Sequence, residues 1–225
     1  MAIINCNEEA LAYFDYSPNA DTLVYLPLEW DLTDKTWKTT PVWNSITFET
    51  QWWKLWVRFA WNTNSYINLS WVQSLDTTDF TISFWIYVIW NSDIIFVHRW
   101  NSDSTNMDLH FIRRSTNKVD LWFYSNDCAW NVAVSNWRWY NLTWTYNHST
   151  RAMRTYVNWA LDWSRTWSWN PNFWTYDIQL WCKRWRTTWN AVNGVMSRFI
   201  LEKREWSSSE VAEYVNKFKD EYWIS

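Results

Sequence analysis

Glycine is almost absent from this chain: one residue of 225, Gly194, where average usage near 7% would supply roughly 16. Cysteine is sparse as well. Cys6, Cys128 and Cys182 are far apart, odd in number and without CxxC spacing, which excludes a disulfide framework and a zinc knuckle. They read as small buried thiols, and a bridge between Cys128 and Cys182 has no support in their spacing. No run approaches the ~18 apolar residues of a membrane-crossing helix. Lys and Arg number 20 against 23 Asp and Glu, for a formal net charge of -3, and they gather into no basic stripe. That excludes a phosphate-backbone footprint, so nucleic acid is not an expected partner. The opening residues MAIINCNEEALAYF lack a basic segment and carry Glu8 and Glu9 where a secretion signal would be apolar, so none is visible.

What stands in place of glycine is tryptophan, with 26 residues. Seven Trp-Asn pairs begin at Trp43, Trp61, Trp90, Trp100, Trp130, Trp169 and Trp189. Asn136-Trp137 and Asn158-Trp159 sit between strand-like runs, where Asn-Gly is the ordinary hairpin signal. A type I′ turn needs positive φ at both central residues, which glycine accepts and tryptophan resists. Each non-glycine residue so held costs about 1–3 kcal/mol. Ten such sites would rival the roughly 5–15 kcal/mol that stabilises a whole domain.

Asn193-Gly194 reads as the same kind of turn with its glycine in place. Some bacterial lineages, and phages that infect them, decode UGA as glycine, and standard-code translation writes each such codon as Trp. The pattern predicts that most Trp letters here are glycines. Exposed indoles are therefore not counted as a stacking surface for sugars or bases. Trp85 in FTISFWIYV and Trp139 in RWYNLTWTY are expected to be real and buried, because their strand context wants an aromatic; Trp122 in VDLWFYSND fits either residue.

With glycines restored, the chain becomes short β-prone runs separated by turn residues, the pattern of a sandwich or jelly roll. Expected strands include TLVYLPL, SITFE, VRFAW, SYINLS, FTISFWIYV, DIIFVHR, MDLHFIRR, KVDLWFYS, RWYNLTWTY, MRTYVN, DIQLWCK and VMSRFILEKR. Phe80, Ile82, Phe84, Ile86 and Val88 fall on one face by the period of two, and that face is expected to be core.

Ser207 with Glu210 forms a capping box, followed by a stripe of Val211, Tyr214, Val215, Phe218 and Tyr222. Trp223 occupies the position where a glycine ends a helix. A short helix over NEEALAYF, capped by Asn7, is also expected. The organisation read here is an arm over 1–20, one sandwich over 21–206 and a helix over 207–225 packed on it.

Several motifs in order carry a family resemblance from Thr22 to Tyr214. LVYLPLEWDLTDKTWK resembles the family's YPLDGNLNDSSGNG stretch if Trp30 and Trp37 are glycines. QWWKLWVRFAWNTNSYINLS is similar to GGKFGxAxxFNGxxSYIxL with Trp52, Trp53 and Trp56 on glycines. The later strand, hairpin and closing segments follow in the same order. The chain thus resembles the laminin-G-like, concanavalin A-like lectin domains, departing from them at Met196-Ser197, where the family often has Ile-Asp.

That resemblance implies an all-β, two-sheet antiparallel β-sandwich, a jelly roll whose rim loops bind glycans, proteins or calcium. Two segments rich in Asn, Asp and Ser, WNSDSTNMD and SND, are the ordinary composition of turns, and within them Asn101, Asp103, Asn126 and Asp127 are the candidate ligand contacts. Asp103, Asp108 and Asp127 are the candidate calcium ligands, being hard oxygen donors without EF-hand spacing.

Catalysis finds no matching pattern. Retaining glycoside hydrolysis needs two carboxylates about 5–5.5 Å apart, and no ExDxE string exists here. Glu202 and Glu205, spaced i, i+3, are expected on the solvated surface. His98, His110 and His148 have neither zinc nor triad spacing, and no GxSxG elbow appears. A non-catalytic module is expected, with a glycan or surface protein as partner, at a cell surface, outside the cell or in a virion. The alternative is a structural or host-attachment protein of a phage virion or appendage, assembling with other copies or other virion proteins.

Overall fold

The computed structural model describes residues 16–29, 32–51, 54–59, 65–70, 72, 74–89, 94–99, 109–114, 116–123, 128–172, 177–181 and 193–224. The strands are β1 (Thr22–Leu26), β2 (Pro41–Asn44), β3 (Ile46–Gln51), β4 (Lys54–Phe59), β5 (Tyr66–Leu69), β6 (Phe80–Val88), β7 (Ile94–Arg99) and β8 (Leu109–Arg113), then β9 (Lys118–Phe123), β10 (Cys128–Ala133), β11 (Trp139–Tyr146), β12 (Ala152–Val157), β13 (Ala160–Thr166), β14 (Ile178–Leu180) and β15 (Gly194–Glu202). They form two antiparallel sheets. An eight-stranded sheet runs β13-β12-β11-β6-β15-β4-β3, with β1 also pairing β15, and a seven-stranded sheet runs β10-β9-β8-β7-β14-β5-β2.

The core between the sheets follows from alternation. Phe80, Ile82, Phe84, Ile86 and Val88 of β6 are all fully buried, in one cluster with Val97, Phe111, Leu121 and Ile178 of the second sheet. The intervening residues of β6 face the other way, which on a solvated sheet would make them polar. Here they include Trp85, because that outer face is roofed by the helix α1 (Ser208–Phe218) and the 3-10 turn Lys219–Tyr222.

Ser207 caps α1 with the expected box: its hydroxyl accepts from the Glu210 N–H, and the Glu210 carboxylate accepts from the Ser207 N–H. Val211, Tyr214, Val215 and Phe218 are buried against Tyr25, Trp85 and Tyr156, and Tyr222 stacks on Trp85 at 3.9 Å and 11°. Replacing Ser207 by alanine is expected to cost about 1 kcal/mol of stability in a urea titration, the usual worth of such a cap.

A β-bulge helps to hold the roof down. The β15–β6 register shifts between Ser197 and Ile200, and Arg198 within it takes φ 49. A bulge re-aims side chains, and the Arg198 guanidinium is 2.9 Å from both Glu29 and Glu221, while its Nε donates to Tyr222 Oη at 3.0 Å. Burial opposes that charge, but Tyr222 and the two carboxylates outweigh it and hold the guanidinium well above its ordinary pKa.

Glu202 corrects an expectation. It is fully buried rather than solvated, accepting from Asn19, Thr22, Tyr16 and the Trp206 indole and pairing with Arg204 at 2.7 Å. Burial nonetheless raises its pKa. Glu205 pairs with Arg154 and accepts from Asn147 at 2.9 Å.

Of the left-handed tryptophans among the described residues, Trp181 is fully buried and three others are not. Trp37, Trp137 and Trp223 have φ of 60, 64 and 57 and side chains 80%, 60% and 59% exposed, so the backbone is left-handed and the indole packs on little. Trp223 is the left-handed residue closing the chain's last helical turn, as expected. Trp85 and Trp139 are buried in ordinary strand backbone, also as expected, and so are Trp56 and Trp144.

Several turn expectations fail. Trp43 and Trp130 lie inside β2 and β10, and in Asn158-Trp159 only Asn158 has positive φ. Gly194 is no turn residue: it begins β15 without positive φ, and a Cβ there would stand 2.4 Å from the Tyr87 carbonyl oxygen. Close approach of strands, not chirality, demands that glycine. Trp56, aligned with a glycine by the resemblance, packs at 5.0 Å from Trp139 and 5.3 Å from Tyr222. Trp30, Trp52, Trp53 and the residues of the expected N-terminal helix lie outside the described residues.

Candidate functional site

The roof over the eight-stranded sheet stops short of one end. Tyr222 is the last residue stacked on Trp85, and beyond it the chain turns away through left-handed Trp223. Where covering ends, Tyr87 at the end of β6 lies opposite Trp139, the first residue of β11, and beside Val195 of β15. The turn before β11 brings Trp137 and Arg138, whose place is fixed by the Trp137 N–H donating to the Val88 carbonyl at 2.8 Å. The β12–β13 turn brings Asn158, anchored by a reciprocal pair: its N–H donates to the Asn141 carbonyl at 2.8 Å, and the Asn141 N–H donates to its Oδ1 at 3.1 Å.

Together with Tyr140 and the chain's end these residues line a cleft of about 460 Å³, within the roughly 300–1,000 Å³ usual for ligand sites. Tyr87 lies 5.6 Å from Trp139, which is itself packed between Trp56 at 5.0 Å and Tyr222 at 4.8 Å, so Tyr87 forms the aromatic floor, and Trp137 stands edge-on to it at 6.4 Å. Burial, aided by Glu49, raises the Tyr87 pKa, so its hydroxyl stays protonated and able to donate near neutrality. Glu49 itself is engaged by Arg58 at 3.1 Å. Arg138 is exposed and has no carboxylate partner among the described residues. Trp139 is 6% exposed, and its buried indole N–H has no hydrogen-bond partner among the described residues. Flat apolar ring faces beside a guanidinium, a phenol and an amide suit a ligand with both C–H faces and hydroxyl groups.

Asn101, Asp103, Asn106, Asp108, Asn126 and Asp127 all lie outside the described residues. The strand ends that bracket them do come together: Leu109 is in register with both Arg99 and Phe123, so the two Asx-rich connections leave the same end of the seven-stranded sheet. Among the described residues no group of three or more His, Cys, Asp or Glu could hold a metal ion. His98 and His110, dispersed in sequence, are register partners, in a row that continues through Gln179 and Asn68 on one side and Trp122 on the other. No helix among the described residues is long and apolar enough to cross a membrane. Sequence reasoning missed the cleft; the Asn136-Trp137 and Asn158-Trp159 steps were its one local trace.

No protein-family model matches the chain, and no curated protein matches it in sequence. Solved structures do match. The binding domain of Paraclostridial Mosquitocidal Protein 1 superposes with a TM-score of 0.73 at 16% identity, over 88% of this chain and 52% of that one. The botulinum neurotoxin type G receptor-binding domain gives 0.66 at 16% identity, over 88% and 51%. Domain 4 of AbnA, a GH43 extracellular arabinanase from Geobacillus stearothermophilus solved in complex with arabinotriose, gives 0.66 at 15% identity, over 87% and 98%. The chain thus spans about half the length of the toxin domains and nearly all of the arabinanase domain. It shares the β-sandwich fold of binding domains.

Proposed function

We propose that this chain is a non-catalytic binding module that recognises a glycan. The carrying observation is that its fold coincides with nearly the whole of an arabinanase domain solved with arabinotriose, 98% of that chain. The aromatic cleft supports the reading from this chain's own residues. The laminin-G-like sequence motifs agree with it. The rim residues Asn101, Asp103, Asn126 and Asp127 are proposed as further contacts, with Asp103, Asp108 and Asp127 as a calcium set. A cell-surface, extracellular or virion setting follows from such a partner. The test is an array of oligosaccharides, arabinotriose included, followed by isothermal titration. Saturable binding without product formation is expected; absence of binding across the array sinks the reading.

We also infer that Trp37, Trp137 and Trp223 are glycines in the natural product, decoded from UGA. Their left-handed backbone and exposed indoles support this. Such decoding favours, as a second reading, a host-attachment or structural protein of a phage that infects a UGA-glycine host. Capsid or tail genes beside this one would support it, and a gene neighbourhood of sugar-degrading enzymes would count against it.

A further inference from the structure

We infer that the cleft at the end of the helix roof is the saccharide site, with Tyr87 as its stacking residue, backed by the buried Trp139, and Arg138 and Asn158 as its polar edge. This rests on the glycan-binding reading above and adds the place. Two observations converge on it. Tyr87, half-buried and in register with buried Trp139, presents its ring where the cleft opens beside the terminal turn. Arg138 is a cation at the mouth with no carboxylate partner among the described residues, free to donate to ring hydroxyls.

The two residues that obstruct this floor are those whose backbone asks for glycine. Trp137 stands edge-on to Tyr87, and Trp223 lines the same cleft; both are left-handed. Glycine at 137 removes the indole that stands against Tyr87 and lets a sugar ring reach the phenol. The chirality of two turns therefore opens the binding surface.

The experiment compares the chain as written with its Trp137→Gly, Trp223→Gly double variant, titrated with arabinotriose and with the tightest oligosaccharide from the array. The double variant is expected to bind at least about tenfold more tightly. On that background Tyr87→Ala is expected to weaken binding about tenfold, equivalent to about 1.4 kcal/mol, and Arg138→Ala several-fold. Arg138 is exposed, so its variant reports on the site even if Tyr87→Ala perturbs folding, which melting curves reveal. Binding that survives both substitutions unchanged would overturn the site while leaving the module a glycan binder. No binding by either parent would instead overturn the glycan reading, and the site with it.

Discussion

Converting Trp37, Trp137 and Trp223 together to glycine is expected to stabilise the protein by about 2–6 kcal/mol. Each of these residues sits at φ near 60 with its indole mostly in solvent. A non-glycine residue held there costs about 1–3 kcal/mol, and glycine gives back roughly 0.5–1 kcal/mol through its freer unfolded state. The strain wins at every site because little packing is surrendered. In a chain of this length the gain corresponds to a rise in Tm of roughly 5–20 °C, readable by calorimetry. A fall in Tm would refute it. Trp181 is left out of the set deliberately. Its φ of 78 is also left-handed, but its ring is fully buried and stacks on Phe59 at 4.5 Å, so the cavity left by glycine would outweigh the relief.

The same substitution at Trp85 is expected to have the opposite sign. Trp85 is fully buried, stacks on Tyr222, and donates from its indole to Tyr214 Oη at 3.2 Å. Truncating a buried tryptophan costs about 3–5 kcal/mol, and glycine within a strand adds about 0.5–1 kcal/mol. That sum approaches the whole stability of many domains. Trp85→Gly should therefore unfold, or nearly unfold, at room temperature by circular dichroism, and the α1 roof should loosen first because Trp85 is its central contact. A well-folded Trp85→Gly protein would show that the aromatic layer under α1 is not what holds the helix down.

The parts of the fold that could be read in advance are those governed by local periodicity. The alternation in β6 and the capped stripe of α1 are each written in consecutive residues, and both appear as read. Three strands were not anticipated. β2 is only PVWN, too short to show a period, and β13, ALDWSRT, is an exposed edge with no apolar alternation to find. β10 begins at Cys128 and contains a Trp-Asn pair that looked like a turn. The dipeptide is a local signal, and cross-strand pairing overrode it. Glu202 likewise looked solvated within LEKRE, and nothing in its neighbours announced the donors that reach it from Asn19, Thr22 and Trp206.

The cleft was less legible still, for a geometric reason. Its floor joins β6 to β11, its edge comes from two turns, and its wall from the last described residues of the chain. No sequence window contains it. What sequence did expose was the chemistry that shapes it, because the residues leaning over the floor are tryptophans in positions where a backbone turns left-handed.

The most direct measurement is peptide sequencing by mass spectrometry of the protein made in its native host, covering positions 37, 85, 137, 139 and 223. Glycine at 37, 137 and 223 together with tryptophan at 85 and 139 is the predicted result. Tryptophan at all five would contradict the account, leaving the strained turns unexplained and the floor of the cleft obstructed.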